Sequence, residues 1–152
     1  MRRFEKEIDD KKVIEEILLH SPLCRIGLVD GDEAYIVPMN YAYAEDTLYF
    51  HSAPHGRKME LIRKNNRASF EITGTEVVVK GDFPCDWTSV YRSVMGRGSM
   101  EIVEDTEAKK AGLDVIMRKY GADGELVYRK SSLDRMVVLK LKIEYLTAKQ
   151  SE

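Results

Sequence analysis

From residue 137 to residue 145 the chain alternates. Val137, Leu139, Leu141, Ile143 and Tyr145 share one parity, while Lys140, Lys142 and Glu144 take the other. A period of two places every second side chain on the same side of an extended backbone. The segment is therefore a strand with one wet face and one face that must be covered. Residues 89–103 give a second, longer strand signal, with Val90, Arg92, Val94, Met100 and Ile102 on its even face and Gly96 and Gly98 interrupting it. A Gly-x-Gly inside a strand marks a bulge or a tight bend. No helix start follows it, so it is not a dinucleotide-binding loop. Long antiparallel strands that bend at glycines favour a closed barrel over an open sheet.

The rest of the chain fits that frame. Asp9 or Asp10 can cap a helix carrying Val13, Ile14, Ile17 and Leu18 on one face, stopped by His20, Ser21 and Pro22. Cys24, Ile26 and Leu28 then alternate with Arg25, Gly27 and Val29 in a strand that turns at Asp30-Gly31-Asp32 into a second strand over 33–43. Pro38 cannot donate to a ladder, so a break is expected there, turning the backbone of Pro38, Met39 and Asn40 away from its neighbour. A third strand covers 47–51 and a fourth 67–72, with Ala68, Phe70 and Ile72 inward and Ser69 and Glu71 outward. The signal over 73–88 is mixed: Val77, Val78 and Val79 read as strand, and 81–84 as loop. Asp105 or Thr106 caps a further helix that reaches Tyr120 and closes at Gly121. The expectation is mainly β with peripheral helices: a six-stranded antiparallel barrel filled by the Phe70, Val94 and Leu139 faces.

Composition narrows the partners. A chain of 152 residues with 43% hydrophobic composition reads as a single domain, 1–152, with its own core. Lys+Arg 24 nearly balance Asp+Glu 26, so charge makes no case for nucleic acid. No apolar run approaches the roughly 20 residues that span a bilayer. The start, MRRFEKEIDD, is too charged for a secretion signal. Cys24 and Cys85 lack metal-ligand spacing and read as free thiols of a reducing cytoplasm.

The stretch YFHSAPHGRKMELIRKN, 49–65, carries the most chemistry. It runs from a strand through a Ser-Ala-Pro turn into a helix opening on Gly56, Arg57 and Lys58. Free N–H groups and the positive end of the helix dipole favour an anion there. Ser52 offers a hydroxyl, Arg57 a planar fork and Lys58 a point charge. Two cations at a helix start oppose the dipole, which an anion would relieve. Nucleophilic and zinc chemistry find little support, since His20, His51 and His55 are the only histidines and no third ligand lies near the last two. Trp87, the only tryptophan, reads more readily as a core or interface anchor than as a ligand platform. The polar run Tyr91-Arg92-Ser93 reads as a solvent-facing stretch or as donors aimed at a ligand or a second subunit.

Three blocks then carry a resemblance: VPMNY (37–41), LYFHSAPHGRKMELIRKNNRASFEI (48–72) and WTSVYRSVMGRGSMEIVED (87–105). Together they resemble the FMN-binding split-barrel superfamily, the pyridoxamine 5′-phosphate oxidase-related proteins, and within it the nitroimidazole-resistance branch. The resemblance implies a homodimer with FMN at the subunit interface. It lays Val37, Pro38, Met39 and Asn40 along the isoalloxazine, His51 and Ser52 at the ring and ribityl side, and Arg57 and Lys58 on the phosphate. Arg92, Ser93 and Val94 fall where the family places contacts from its fifth strand. Trp87 and Tyr91 would cover the flavin, with their subunit of origin left open. His51 also matches a histidine proposed as functional in that branch, which makes it the candidate catalytic residue.

What the resemblance implies for activity is an FMN-dependent oxidoreductase that passes electrons to a small organic acceptor, with a nitroaromatic as a candidate. The alternatives are a flavin-binding protein without turnover, or a barrel that takes haem or a deazaflavin. The chain ends LKIEYLTAKQSE and lacks the Arg-x-His segment with which the true oxidases grip pyridoxamine phosphate. That substrate is not expected.

Overall fold

The alternation at the end of the chain becomes a 15-residue strand, Val137–Ser151. The computed structural model describes residues 4–74 and 76–151. The first three residues of the charged N-terminus, and Thr75 in the mixed 73–88 segment, lie outside the described residues.

Helix α1 (Lys11–His20) starts where the Asp10 carboxylate accepts from the Lys12 N–H at 2.8 Å, and it buries Ile17 and Leu18. Strands β1 (Cys24–Asp30) and β2 (Glu33–Met39) form a hairpin paired from Cys24↔Met39 to Asp30↔Glu33. Strands β3 (Ala42–Ala44) and β4 (Thr47–Ser52) form another, turning on Glu45 and Asp46 at φ 49 and 56. Positive φ at both corners matches the right-handed twist of the flanking strands. Next come α2 (Arg57–Lys64), β5 (Arg67–Thr73), the short β6 (Val77–Val79) and the long β7 (Thr88–Val103). Helix α3 (Thr106–Lys119), capped by Asp105, the short α4 (Lys130–Leu133) and β8 (Val137–Ser151) complete the chain. No helix among the described residues is long and apolar enough to cross a membrane.

The sheet runs β2-β1-β5-β7-β8-β4-β3, with β6 paired to β7 off that path. Its two end strands, β2 and β3, are consecutive in the chain and separated only by Asn40 and Tyr41. Three residues of backbone span at most about 11 Å between Met39 and Ala42. The two edges of the sheet must therefore meet, and the sheet must curl shut. The bent strands predicted such a closed barrel, and this one, antiparallel throughout, is the split barrel that the resemblance implies.

Among the described residues the strand count is eight and not six. The strand expected over 33–43 divides into β2 and β3, and the valines 77–79 add β6. Pro38 does not make the division. It stays in register opposite Arg25, and pairing continues through Met39 before the chain leaves the ladder at Asn40. A proline is tolerated there because β2 is an edge strand with one unpaired side.

The bulge at the glycines is real, and its extra residue sits on β8. Arg97 pairs with Tyr145 and Gly98 with Ile143, leaving Glu144 without a partner on β7. A side chain on Gly98 would overlap the Lys142 carbonyl oxygen. One on Gly96 would lie 2.5 Å from the Phe70 ring and 2.6 Å from the Tyr145 carbonyl oxygen. Bare backbone on β7 lets β8 cross this close. The extra residue also reverses the parity of β8. Beyond it Ala148 is buried, while Tyr145, expected inward, is 54% exposed.

Phe70, Val94 and Leu139 pack into one core with Ile26, Leu28, Phe50 and Ile72. Tyr41, at the seam between the sheet edges, is fully buried and donates its hydroxyl to the Leu18 carbonyl at 2.7 Å. The Lys119 ammonium lies 3.4 Å from the centre of its ring. A second cluster joins α3 to the sheet through Leu113, Ile116, Val103 and Val138.

Candidate functional site

Where β4 ends, the chain turns through Ala53, Pro54 and His55 into α2. Gly56 occupies the N-cap at φ 101, a conformation that suits glycine, and no side chain caps the helix. The amides of Met59 and Glu60 both bond to the Gly56 carbonyl, at 2.9 and 3.1 Å. Helix-start N–H groups are the ones left without intrahelical acceptors, so this end presents donors outward.

A cavity of about 420 Å³ opens at that helix start, and Val37, His51, Ser52, Arg57 and Lys58 line it together with Tyr35 and His55. Residues from β2, β4 and the first turn of α2 thus converge across the barrel seam. Five of the sequence-predicted site residues belong to this group. Met39 adjoins it, because the Lys58 ammonium lies 3.7 Å from the Met39 sulfur. Pro38 and Asn40 are exposed on the same short segment.

Each donor has its own local state. The Ser52 hydroxyl, expected to face an anion, is buried and donates to the Ala53 carbonyl at 2.9 Å. The Lys58 ammonium is half-buried, and that burial lowers its pKa below the ordinary lysine value. It pairs with no carboxylate among the described residues. Arg57 donates from Nε to Asp30 Oδ2 at 2.9 Å, from Nη2 to Asp30 Oδ1, and from Nη1 to Glu60 Oε2 at 3.4 Å. The Asp30 bonds are the main reason its pKa is raised. His51 and His55 are both exposed at the cavity.

The remaining predicted residues do not join this cavity within one chain. Trp87 stands outside the barrel, 49% exposed, its Nε1 donating to the Gly81 carbonyl at 3.1 Å with the Lys80 ammonium 5.2 Å from its ring. Tyr91, Arg92 and Ser93 pair with the end of β8, at Ser151, Gln150 and Lys149. Arg92 lines a separate cavity of about 700 Å³ with Glu16, His20 and Val77. Val94 is wholly buried in the core, with Ile72 and Ala148 beside it in the ladder.

One surface went unnoticed in the sequence. A shallow apolar groove of about 500 Å³ crosses the outer sheet face over Gly27, Ile36, Phe70, Met95, Gly96 and Tyr145. Ile36, Met95 and Tyr145 are 65%, 49% and 54% exposed. The available signal was Ile36 and Met95, apolar residues at the parity opposite to their strands' core positions.

Comparison with known proteins gives a consistent picture. A family model described as pyridoxamine 5′-phosphate oxidase matches residues 10–150. A Bacteroides thetaiotaomicron protein assigned to 5-nitroimidazole antibiotic resistance is 34% identical, covering 96% of this chain and 90% of its own, with a TM-score of 0.83. An FAD- and haem-binding protein from Mycobacterium smegmatis is 22% identical, covering 97% of this chain and 74% of its own, with a TM-score of 0.86. A flavocytochrome from Azotobacter vinelandii is 17% identical, covering 100% of this chain and 72% of its own, with a TM-score of 0.83. No curated protein matches the chain.

Proposed function

The chain belongs to the pyridoxamine 5′-phosphate oxidase family, and on that premise we propose that it is a homodimeric FMN-dependent oxidoreductase acting on a small organic acceptor, a nitroaromatic being the first to test. The observation that carries the reading is the convergence of Val37, His51, Ser52, Arg57 and Lys58 on one cavity at an uncapped helix start. The donor set suits a ligand with an apolar body and a phosphate tail. The apolar side comes from Val37 and Tyr35 on β2; the anionic end meets Lys58 and the α2 amides.

In this reading FMN supplies the redox chemistry, accepting electrons from a donor and passing them on. The protein's part is to bind, orient and shield. Lys58 and the helix start anchor the phosphate, and the segment Val37, Pro38, Met39 and Asn40 borders the ring. His51, exposed at the cavity mouth, meets the acceptor. Trp87, Tyr91, Arg92 and Ser93 lie apart from this cavity in one chain, so they serve the site from the second subunit. The apolar groove over Ile36, Met95 and Tyr145 is the surface available for that contact. The Bacteroides relative supports the choice of acceptor.

The absorption spectrum of the purified protein tests this directly. A yellow preparation that releases FMN on denaturation is expected, at twice the chain mass by sedimentation. A colourless monomer that takes up no FMN would overturn the proposal, and a Soret band would replace flavin by haem. Oxidation of a reduced nicotinamide in the presence of a nitroimidazole then separates an enzyme from a flavin carrier.

A further inference from the structure

Arg57 is the family-matched phosphate ligand, yet its guanidinium is already held by two carboxylates. Asp30, at the end of β1, takes the Nε–Nη2 edge with both oxygens. Glu60, one turn along α2, takes Nη1. Asp30 arrives from the tight turn closed by Gly31 at φ 67, so its position is fixed by the β1–β2 hairpin. Arg57, Asp30 and Glu60 together carry one net negative charge beside the proposed phosphate subsite. Lys58, in contrast, faces the cavity without a carboxylate partner among the described residues.

We propose that Asp30 competes with the cofactor phosphate for Arg57 and so sets the affinity for phosphorylated flavin, leaving Lys58 as the dominant phosphate ligand. The inference rests on the phosphate subsite proposed above. A dianion seated at the start of α2 would share Arg57 with the Asp30 carboxylate and feel its repulsion. The Arg57–Asp30 pair is itself half-exposed, with side chains 53% and 29% accessible, so an incoming anion can reach it. An opposing unit charge a few ångströms from a dianion in a hydrated site changes affinity by about three- to tenfold. Replacing Asp30 by Asn removes the charge but keeps an oxygen for the Arg57 Nε–H, which separates repulsion from positioning.

The test titrates FMN and riboflavin, by flavin fluorescence, into flavin-free preparations of the parent, Asp30→Asn, Glu60→Gln and Lys58→Ala proteins. Asp30→Asn should bind FMN about three- to tenfold more tightly, with riboflavin unchanged because it lacks the phosphate. Glu60→Gln, which touches Arg57 only at 3.4 Å, should move FMN affinity in the same direction by less. FMN binding that is equal or weaker in Asp30→Asn, with Lys58→Ala still selectively impairing FMN, overturns the competition and leaves the subsite standing. If the parent does not distinguish FMN from riboflavin and Lys58→Ala changes neither, the subsite itself fails and this inference falls with it.

Discussion

Arg67 forks onto Glu144, with Nη1 to Oε1 at 2.6 Å and Nη2 to Oε2 at 2.8 Å, and Glu144 is the bulged residue of β8. The Ser99 hydroxyl adds a third bond to the same carboxylate at 2.9 Å. A residue with no ladder partner is thereby tied to β5 and β7 at once. Arg67 first, and Ser99 after it, lower the Glu144 carboxyl from 4.5 to about 2. A depressed carboxyl stabilises the fold when ionised. Its contribution is complete above about pH 4.5 and lost as pH falls towards 2. Glu144→Gln should therefore melt below the parent at neutral pH, and the gap should close between pH 4.5 and 2. A gap that persists unchanged at pH 2 would contradict this assignment.

Gly98 must remain bare. Alanine there would meet the Lys142 carbonyl oxygen, and relief requires parting β7 from β8. Overpacking against backbone puts the expected loss at about 3 kcal/mol or more in urea unfolding. Gly121→Ala is the control. It meets no atom within 4 Å but sits at φ 88, so its cost is conformational strain of about 1 kcal/mol.

Tyr41→Phe keeps the ring under Lys119 and removes only the bond to the Leu18 carbonyl. Leaving that buried acceptor unpaired should cost about 1–3 kcal/mol. Because Tyr41 sits at the link between the two sheet edges, hydrogen exchange in β3 should accelerate more than in β7. Equal acceleration in both strands would mean that the bond does not hold the seam.

For the cofactor site, Arg57→Ala with Lys58→Ala should weaken FMN retention by about 1.5–3 kcal/mol per charged hydrogen bond lost. Most of the effect should follow Lys58, given the carboxylates already on Arg57. Full flavin content in the purified double variant would place the phosphate elsewhere.

His51→Ala should keep flavin but reduce the rate of acceptor reduction. His55→Ala, on the turn rather than on β4, should do so less. Parental turnover in His51→Ala would remove it from the mechanism.

Much of this could be read from residues. Asp10 and Asp105 announced α1 and α3, Asp30-Gly31-Asp32 announced the first hairpin, and Gly96-x-Gly98 announced the bulge. The HSAPHGRK segment marked the cavity-lining helix start before any fold was known. The less legible features all depend on distant partners. Ser52 turns to the Ala53 carbonyl, and Arg57 is met by Asp30 from a hairpin 27 positions away. Trp87 and Tyr91 belong to a separate block, 87–105, of the same resemblance, and they line no common cavity with the site residues in one chain.

Period, turn chemistry and capping are properties of a few adjacent residues, so the sequence by itself determined the main helices α1, α2 and α3, the long strands, and that those strands bend; the β2–β3 division and the short α4 it did not. Which oxygen a guanidinium meets, and which side Tyr145 faces, were decided only by the tertiary structure. A bulge of one residue on β8 reverses every side chain beyond it. Closure through Asn40 and Tyr41 brings β2, β4 and α2 to one cavity. The glycines mark where the strands bend, but no local pattern records that closure or which strand carries the extra residue.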